Sequence, residues 1–183
     1  KMAAHALAEA QGMVFSMMPK PFANQPGSGL HFHVSLWKGT GDNASNLFVP
    51  HAPDGAALPQ AGLSPLGRQF VAGVLAHAPA LCALAAPTVN SYKRLVVSDV
   101  LSGTSWAPAY IAQGANNRTA LVRTLPGRFE WRLPDASANA YLATAGLIAA
   151  GLDGIERALE CPPPQDVDLF ALTLGEVRER GIA

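Results

Sequence analysis

The run Leu30-His31-Phe32-His33-Val34-Ser35-Leu36-Trp37 alternates without a break, and this constrains the fold more than any other feature of the chain. Successive side chains of a strand point to opposite faces, so Leu30, Phe32, Val34 and Leu36 share one face and His31, His33, Ser35 and Trp37 the other. Downstream, Arg128-Phe129-Glu130-Trp131-Arg132-Leu133 repeats the pattern, setting Arg128, Glu130 and Arg132 opposite Phe129, Trp131 and Leu133. A sheet that contains both strands has one apolar face to be covered and one wet face carrying imidazoles, guanidiniums and a carboxylate.

Two segments can supply the cover. Ser64-Pro65 reads as an N-cap followed by proline at the first helical position, and the apolar run from Leu66 to Ala86 predicts a long helix bent at Pro79. A last helix is predicted from about Asn139 to Glu160, capped by Asp135 or Ser137 and ended by Pro162-Pro163-Pro164. The expected fold is therefore α+β, a mainly antiparallel sheet with both helices packed on one face. Elsewhere, residues 1 to 11 read as a helix ended by Gly12, and Val14 to Met18 as a strand. Residues 19 to 29 hold three prolines and two glycines and predict a shaped loop. Residues 38 to 63 predict an excursion with a short strand at Leu47-Phe48-Val49, and Asn90 to Arg94 a polar loop leading to an irregular stretch up to Pro108. Thr119 to Arg123 and Arg128 to Leu133 predict a hairpin around Pro126-Gly127.

Composition narrows the classes. With 13 basic against 13 acidic residues among 183, the chain lacks the electrostatic footprint of a nucleic-acid binder, and 49% hydrophobic content suffices for one sizeable core. Cys82 and Cys161 have no CxxC spacing and predict reduced thiols in a cytoplasmic protein. Phe70 to Val89 holds no charge, but His77, Pro79 and Pro87 interrupt it, which predicts a buried helix and no membrane span. The chain opens at Lys1 in a helical register without a signal-peptide pattern, and reads as a piece of a longer protein. Residues 1–160 are expected to form one domain, with 161–183 as its peripheral tail.

Imidazole and carboxylate can ligate a divalent ion, and arginine forks bind phosphate or carboxylate oxygens in pairs. Each element alone is weak. Strand histidines are ordinarily just exposed, alternating charges can form a solvated ladder, and Gly27-Ser28-Gly29 matches neither a P-loop nor a dinucleotide fingerprint.

Taken in order, the segments resemble the C-terminal catalytic portion of the glutamine synthetase family. Lys20-Pro21 with Gly27-Ser28-Gly29-Leu30-His31-Phe32-His33-Val34-Ser35 is similar to its ATP-region signature, and Asn90-Ser91-Tyr92-Lys93-Arg94-Leu95 to its substrate-loop motif. Asn117-Arg118, Arg123, the Arg128-to-Asp135 segment and Ala138-Asn139-Ala140-Tyr141-Leu142 follow in the family's order. The resemblance implies ATP and Mg2+ or Mn2+ as cofactors, with His31 and Glu130 as metal ligands and His33, Ser35 and Arg128 along the nucleotide. It implies that Gly27, Arg94 and Arg132 hold glutamate and that Arg118 and Arg123 face the transferred phosphoryl group. Glutamate would be ligated to ammonia or a small amine, within a ring-shaped homo-oligomer expected to be a dodecamer.

The chain departs from the pattern at Pro26, where an asparagine usually precedes the glycine, and by extra residues between Arg94 and Arg118. Trp106 stands where the ammonia-using enzymes carry an acidic latch residue, and Thr104 to Ile111 resembles the type III glutamine synthetase or γ-glutamylmethylamide synthetase branch. Apart from Glu9, the chain offers no counterpart to the family's further, upstream metal-binding glutamates, so the isolated chain is expected to be inactive. Two rivals remain open at this level: a non-catalytic relative with an assembly or regulatory role, and a guanidino kinase, which also gathers phosphate-binding arginines on an antiparallel sheet.

Overall fold

The computed structural model describes residues 1–58, 60, 62–97 and 106–182. In chain order the elements are α1 (Met2–Ala10), β1 (Phe32–Val34), β2 (Trp37–Lys38), β3 (Ser45–Asn46), α2 (Pro65–Ala76), α3 (Ala78–Ala85) and α4 (Val89–Arg94). They are followed by β4 (Tyr110–Ala115), β5 (Ala120–Leu125), β6 (Arg128–Trp131), α5 (Ala140–Glu156) and α6 (Leu174–Glu179). The main sheet has the order β1-β6-β5-β4, in which β1 and β5 flank β6 antiparallel and β4 joins β5 in parallel. β2 and β3 form a separate small ribbon.

The alternation predicted for residues 30–37 is present in the burial, with Phe32 and Val34 half-buried and His31, His33 and Ser35 exposed. From β5 and β6, Val122, Phe129 and Trp131 are buried, and α2 and α5 cover them with Phe70, Val71, Val74 and Leu147. Phe48, Phe70 and Phe129 meet with ring centroids 5.6 to 6.0 Å apart. The two covering helices approach until their backbones touch: a Cβ on Gly73 would lie 2.0 Å from the Ala150 carbonyl oxygen, and one on Gly154 2.3 Å from that of Gln69.

Helix ends follow local chemistry. The Ser64 hydroxyl accepts from the Gly67 N–H at 3.1 Å, with Pro65 at the first helical position. The predicted single helix from 66 to 86 is two helices, α2 and α3, bent by 73° at His77. Pro79 sits in the first turn of the second helix, where its missing N–H costs nothing, so the bend falls at His77, two residues before the proline. No single helix among the described residues is long and apolar enough to cross a membrane. Gly12, at φ +67°, closes α1 with the Gly12 and Met13 N–H groups on the Glu9 and Ala8 carbonyls.

Several local expectations are corrected. Val14 to Met18 forms no strand: it is irregular, Val14 is 98% exposed, and no strand of the described residues pairs with it. The short strand lies at Ser45–Asn46 and not at Leu47–Val49, because Phe48 turns into the core. Asn90 to Arg94 is helix and not loop, since Thr88 and Ser91 make a reciprocal capping box after Pro87. α5 is capped by Asn139, whose side chain accepts from the Tyr141 and Leu142 N–H groups; the Asp135 carboxylate is already occupied by the Ser137 N–H and hydroxyl. β4 lies beyond the predicted elements. Its edge is covered by the segment after Cys161, where the Gln165 N–H donates to Gln113 O and Leu169 is fully buried with Ala112 and Ala120.

Candidate active site

The register places the polar groups of three strands side by side. His33 and Arg123 both stand opposite Glu130, so His31, Arg132, Glu130 and Arg123 gather on the face away from α2 and α5. Glu130 is their hub. Its Oε1 accepts from Arg132 Nη1 at 2.7 Å and meets His31 Nδ1 at 2.8 Å, while its Oε2 accepts from Arg123 Nη1 at 3.0 Å. Burial alone would raise the Glu130 carboxyl, but the hydrogen bond from Arg123 and the charges of Arg132 and His31 outweigh it and hold it below the usual carboxylate range. Burial and the Arg132 charge together lower His31, so the imidazole is neutral at pH 7 and its contact with Glu130 is a hydrogen bond from Nδ1–H, leaving the Nε2 lone pair available.

The centre of this face is not the wet surface that alternation predicts. Glu130 and Arg132 are each only 4% exposed. Arg132 is held by the Arg118 carbonyl through Nε at 3.1 Å and by the Trp106 carbonyl through Nη2 at 2.9 Å, so the chain on either side of β4 folds over the strand.

The predicted glutamate-binding residues do converge. Gly27, His31, Arg94, Trp106 and Arg132 line one open cavity of ≈ 220 Å³, with Pro26, Gly29 and Ala107. Arg94, in the last turn of α4, is 3% exposed and donates to the Leu133 and Arg132 carbonyls at 2.9 and 3.2 Å. Burial lowers its guanidinium to about 10, with Asp135 opposing and Arg132 adding to the shift, so it remains a cation at neutral pH. The loop before β1 lies against it. Ser28 N–H closes the loop on Pro19 O at 2.8 Å, and Asn90 holds Lys20 through both its backbone groups. A Cβ on Gly27 would sit 2.5 Å from the Pro19 carbonyl oxygen, so glycine is required there; one on Gly29 would sit 2.8 Å from His31 Nε2 and would push the imidazole aside.

Arg118 lines a neighbouring cavity of ≈ 550 Å³, which also touches Trp106, Asn116 and Asp166. Arg123 is tied to Asn116 by Nε, at 3.0 Å, and by Nη2. The three predicted nucleotide residues lie farther along the same face: His33 and Arg128 are exposed, and the Ser35 hydroxyl accepts from Trp37 Nε1 at 2.9 Å. Trp106 opens the described stretch 106–182; Thr104 and Ser105, which share its motif, lie outside the described residues.

His31 and Glu130 lie side by side, and imidazole and carboxylate are donors that suit a divalent ion, but here Nδ1–H is spent on Oε1 and both carboxylate oxygens also accept from arginines. The pair supplies only two donors, and among the described residues no group of three His, Cys, Asp or Glu side chains could hold a metal. Two such donors are at most part of a metal site, and any further ligands would have to come from outside the pair.

The model of the glutamine synthetase catalytic domain matches residues 1–182. The chain belongs to this glutamine synthetase family. It is 50% identical to the glutamate–methylamine ligase of Methyloversatilis universalis over 182 residues, 100% of this chain and 39% of that protein. It is 42% identical to the glutamine synthetase of Rhizobium meliloti over 165 residues, 90% of this chain and 36% of that protein. A solved structure described as a GmaS/ADP complex superposes with a TM-score of 0.78 at 42% identity, covering 93% of this chain and 37% of that one. The chain thus spans well under half the length of the relatives it matches.

Within this glutamine synthetase domain, the sequence reading gave no site role to Asn116 and treated Asp135 only as a candidate helix cap and part of a family segment. Asn116 has φ +53°, a conformation that spacing does not reveal. Asp135 is fully buried, with Oδ2 unpartnered, and is the carboxylate whose charge bears on Arg94. Its place directly after Pro134, closing the charged run Arg128, Glu130 and Arg132, was the available signal.

Proposed function

We propose that the chain is part of an ATP-dependent ligase that joins the γ-carboxylate of glutamate to ammonia or a small amine, with methylamine as the preferred acceptor. The observation that carries this reading is the gathering of cations in a chain of zero net charge: Arg94, Arg118, Arg123, Arg128 and Arg132 share one region with Glu130, Asp135 and, in the larger cavity, Asp166 and Asp168, five arginines against four carboxylates. Such a surface binds anions and stabilises negative charge as it spreads over a phosphoryl group.

Arg94 and Arg132, held rigidly by backbone carbonyls, would take the glutamate carboxylates beside Gly27. Its γ-carboxylate oxygen attacks the terminal phosphorus of ATP, the bond to ADP breaks, and an acyl phosphate forms. Arg118 and Arg123 would face that phosphoryl group, while His33, Ser35 and Arg128 line the nucleotide. The amine then attacks the acyl carbon, loses a proton and displaces inorganic phosphate. Mg2+ or Mn2+ held in part by His31 and Glu130 would draw charge from the phosphate oxygens. Trp106 would present its face to the acceptor. We further propose that the full-length protein is cytoplasmic and works as a ring-shaped homo-oligomer, with residues 1–160 as the catalytic domain's body and 161–183 as its outer edge.

The test is phosphate release by the full-length enzyme with ATP and glutamate against ammonia, methylamine, ethylamine and a polyamine. Release that depends on glutamate and is fastest with methylamine is expected. ATP binding without glutamate-dependent release under any amine would overturn the reading in favour of a non-catalytic role.

A further inference from the structure

We propose that Asn116 is a positioning residue, which acts through Arg123 by fixing the plane of its guanidinium against Glu130; this rests on the ligase reading above. The Asn116 Oδ1 takes both Nε and Nη2 of Arg123. Glu130 Oε2 takes Nη1 at 3.0 Å. A guanidinium carries five N–H donors, so these contacts engage one edge and one terminal nitrogen and leave one N–H on each of Nη1 and Nη2. Two remaining donors on one rigid plane suit the oxygens of a phosphoryl group.

Glu130 alone could not impose that plane. It holds Arg123 through a single contact, and its other oxygen is shared by Arg132 and His31. Asn116 supplies the second anchor and is placed by its own backbone. It follows β4 with φ +53°, its N–H donates to the Thr124 carbonyl at 2.9 Å, and this conformation is one that asparagine and glycine adopt most readily. The side chain is thereby turned across the parallel β4–β5 pair onto Arg123, which stands on β5 beside Gly114. Arg123 is 18% exposed at its side chain, and its partner Asn116 lines the cavity that Arg118 also lines.

The backbone requirement gives the experiment its control. Asn116→Gly removes the carboxamide but suits the positive φ, so it should fold with an unchanged or higher melting temperature. In the full-length enzyme, kcat for phosphate release should fall by about ten- to hundredfold, as a misaligned charged group does, while KM for glutamate moves less than about twofold. In an Arg123→Lys background the same substitution should change kcat by less than about twofold, because Asn116 acts only through the guanidinium. A glycine variant that keeps kcat within about twofold of wild type, or one that loses activity equally in both backgrounds, overturns the proposal. If the glycine variant does not fold, Asn116→Asp decides: it keeps the acceptor and tolerates the backbone, and should hold kcat within about fivefold, so a folded aspartate variant below that limit also overturns it. A wild type that releases no phosphate sinks the ligase reading and this proposal together, whereas an active wild type with an active glycine variant sinks the positioning alone.

Discussion

Glu130 carries the charge balance of the polar face. Its carboxylate is 5% exposed and touches Arg123, Arg132 and His31, so removing it strands two guanidiniums in a partly dry site. Glu130→Ala should cost about 3–5 kcal/mol, read by urea unfolding; a cost under about 1 kcal/mol would mean that the arginines find other partners. The same pair sets an acid limit. The folded Glu130 carboxyl titrates below its ordinary 4.5, so its contribution is complete above that pH and is lost as pH falls through the lower, folded value. His31, also lowered, opposes protonation below 6.5 and pushes in the same direction. Wild-type stability should therefore fall more steeply below pH 4.5 than that of Glu130→Ala, as pH-dependent melts would show. Cys161 marks the alkaline side. Burial raises its thiol to about 11 from 9.0, with Arg68 pulling weakly the other way, so at pH 8 alkylation by iodoacetamide should be far slower than that of a model thiol and should accelerate toward pH 11. A rate equal to the free thiol at pH 8 would show that the group is not shielded.

At the level of elements, the polar face is held in place from behind. α2 and α5 cover the apolar side through a contact in which Gly73 faces the backbone of Ala150 and Gly154, leaving no room for a methyl group. Gly73→Ala must therefore push the helices apart and should cost about 1–3 kcal/mol or more, although alanine favours helix elsewhere. A melting temperature equal to wild type would show that the helices separate freely. The loop before β1 is held by α4 through the paired Asn90–Lys20 hydrogen bonds. Helix α4 thus carries both Arg94 and the anchor for the loop that lies against it. The two halves of the ≈ 220 Å³ cavity are built together.

For the whole molecule, selectivity for an acceptor amine, in the ligase proposed above, would be the property that needs every part present. Trp106 is anchored by its own carbonyl on Arg132 Nη2 at 2.9 Å, and the residue, 45% exposed, lines both cavities. An indole face attracts a cation by roughly 0.5–2 kcal/mol, and one methyl group in an apolar pocket is worth roughly 1–3 kcal/mol. In the full-length enzyme, Trp106→Ala should lower kcat/KM for methylamine about tenfold more than for ammonia, and Trp106→Glu should move the preference toward ammonia. An unchanged ratio in Trp106→Ala would make the indole a packing group.

The alternations at 30–37 and 128–133 by themselves determined the two faces of β1 and β6 and the residues crowded on one of them. Period-two geometry is local and survives any tertiary context that keeps both strands. The Ser64 cap and the Gly12 stop were legible for the same reason. Tertiary structure alone decided the rest. β4 has no alternation to read and exists as a strand because β5 pairs with it in parallel and the segment after Cys161 covers it. Arg132 and Glu130 are buried because Trp106 and Arg118 return over them, from positions 26 and 14 residues away. Asn116 reaches Arg123 only through a left-handed residue at the end of a strand that the sequence does not announce. Side-chain direction along one strand is written in its neighbours, whereas burial of a charge depends on segments far along the chain closing over it.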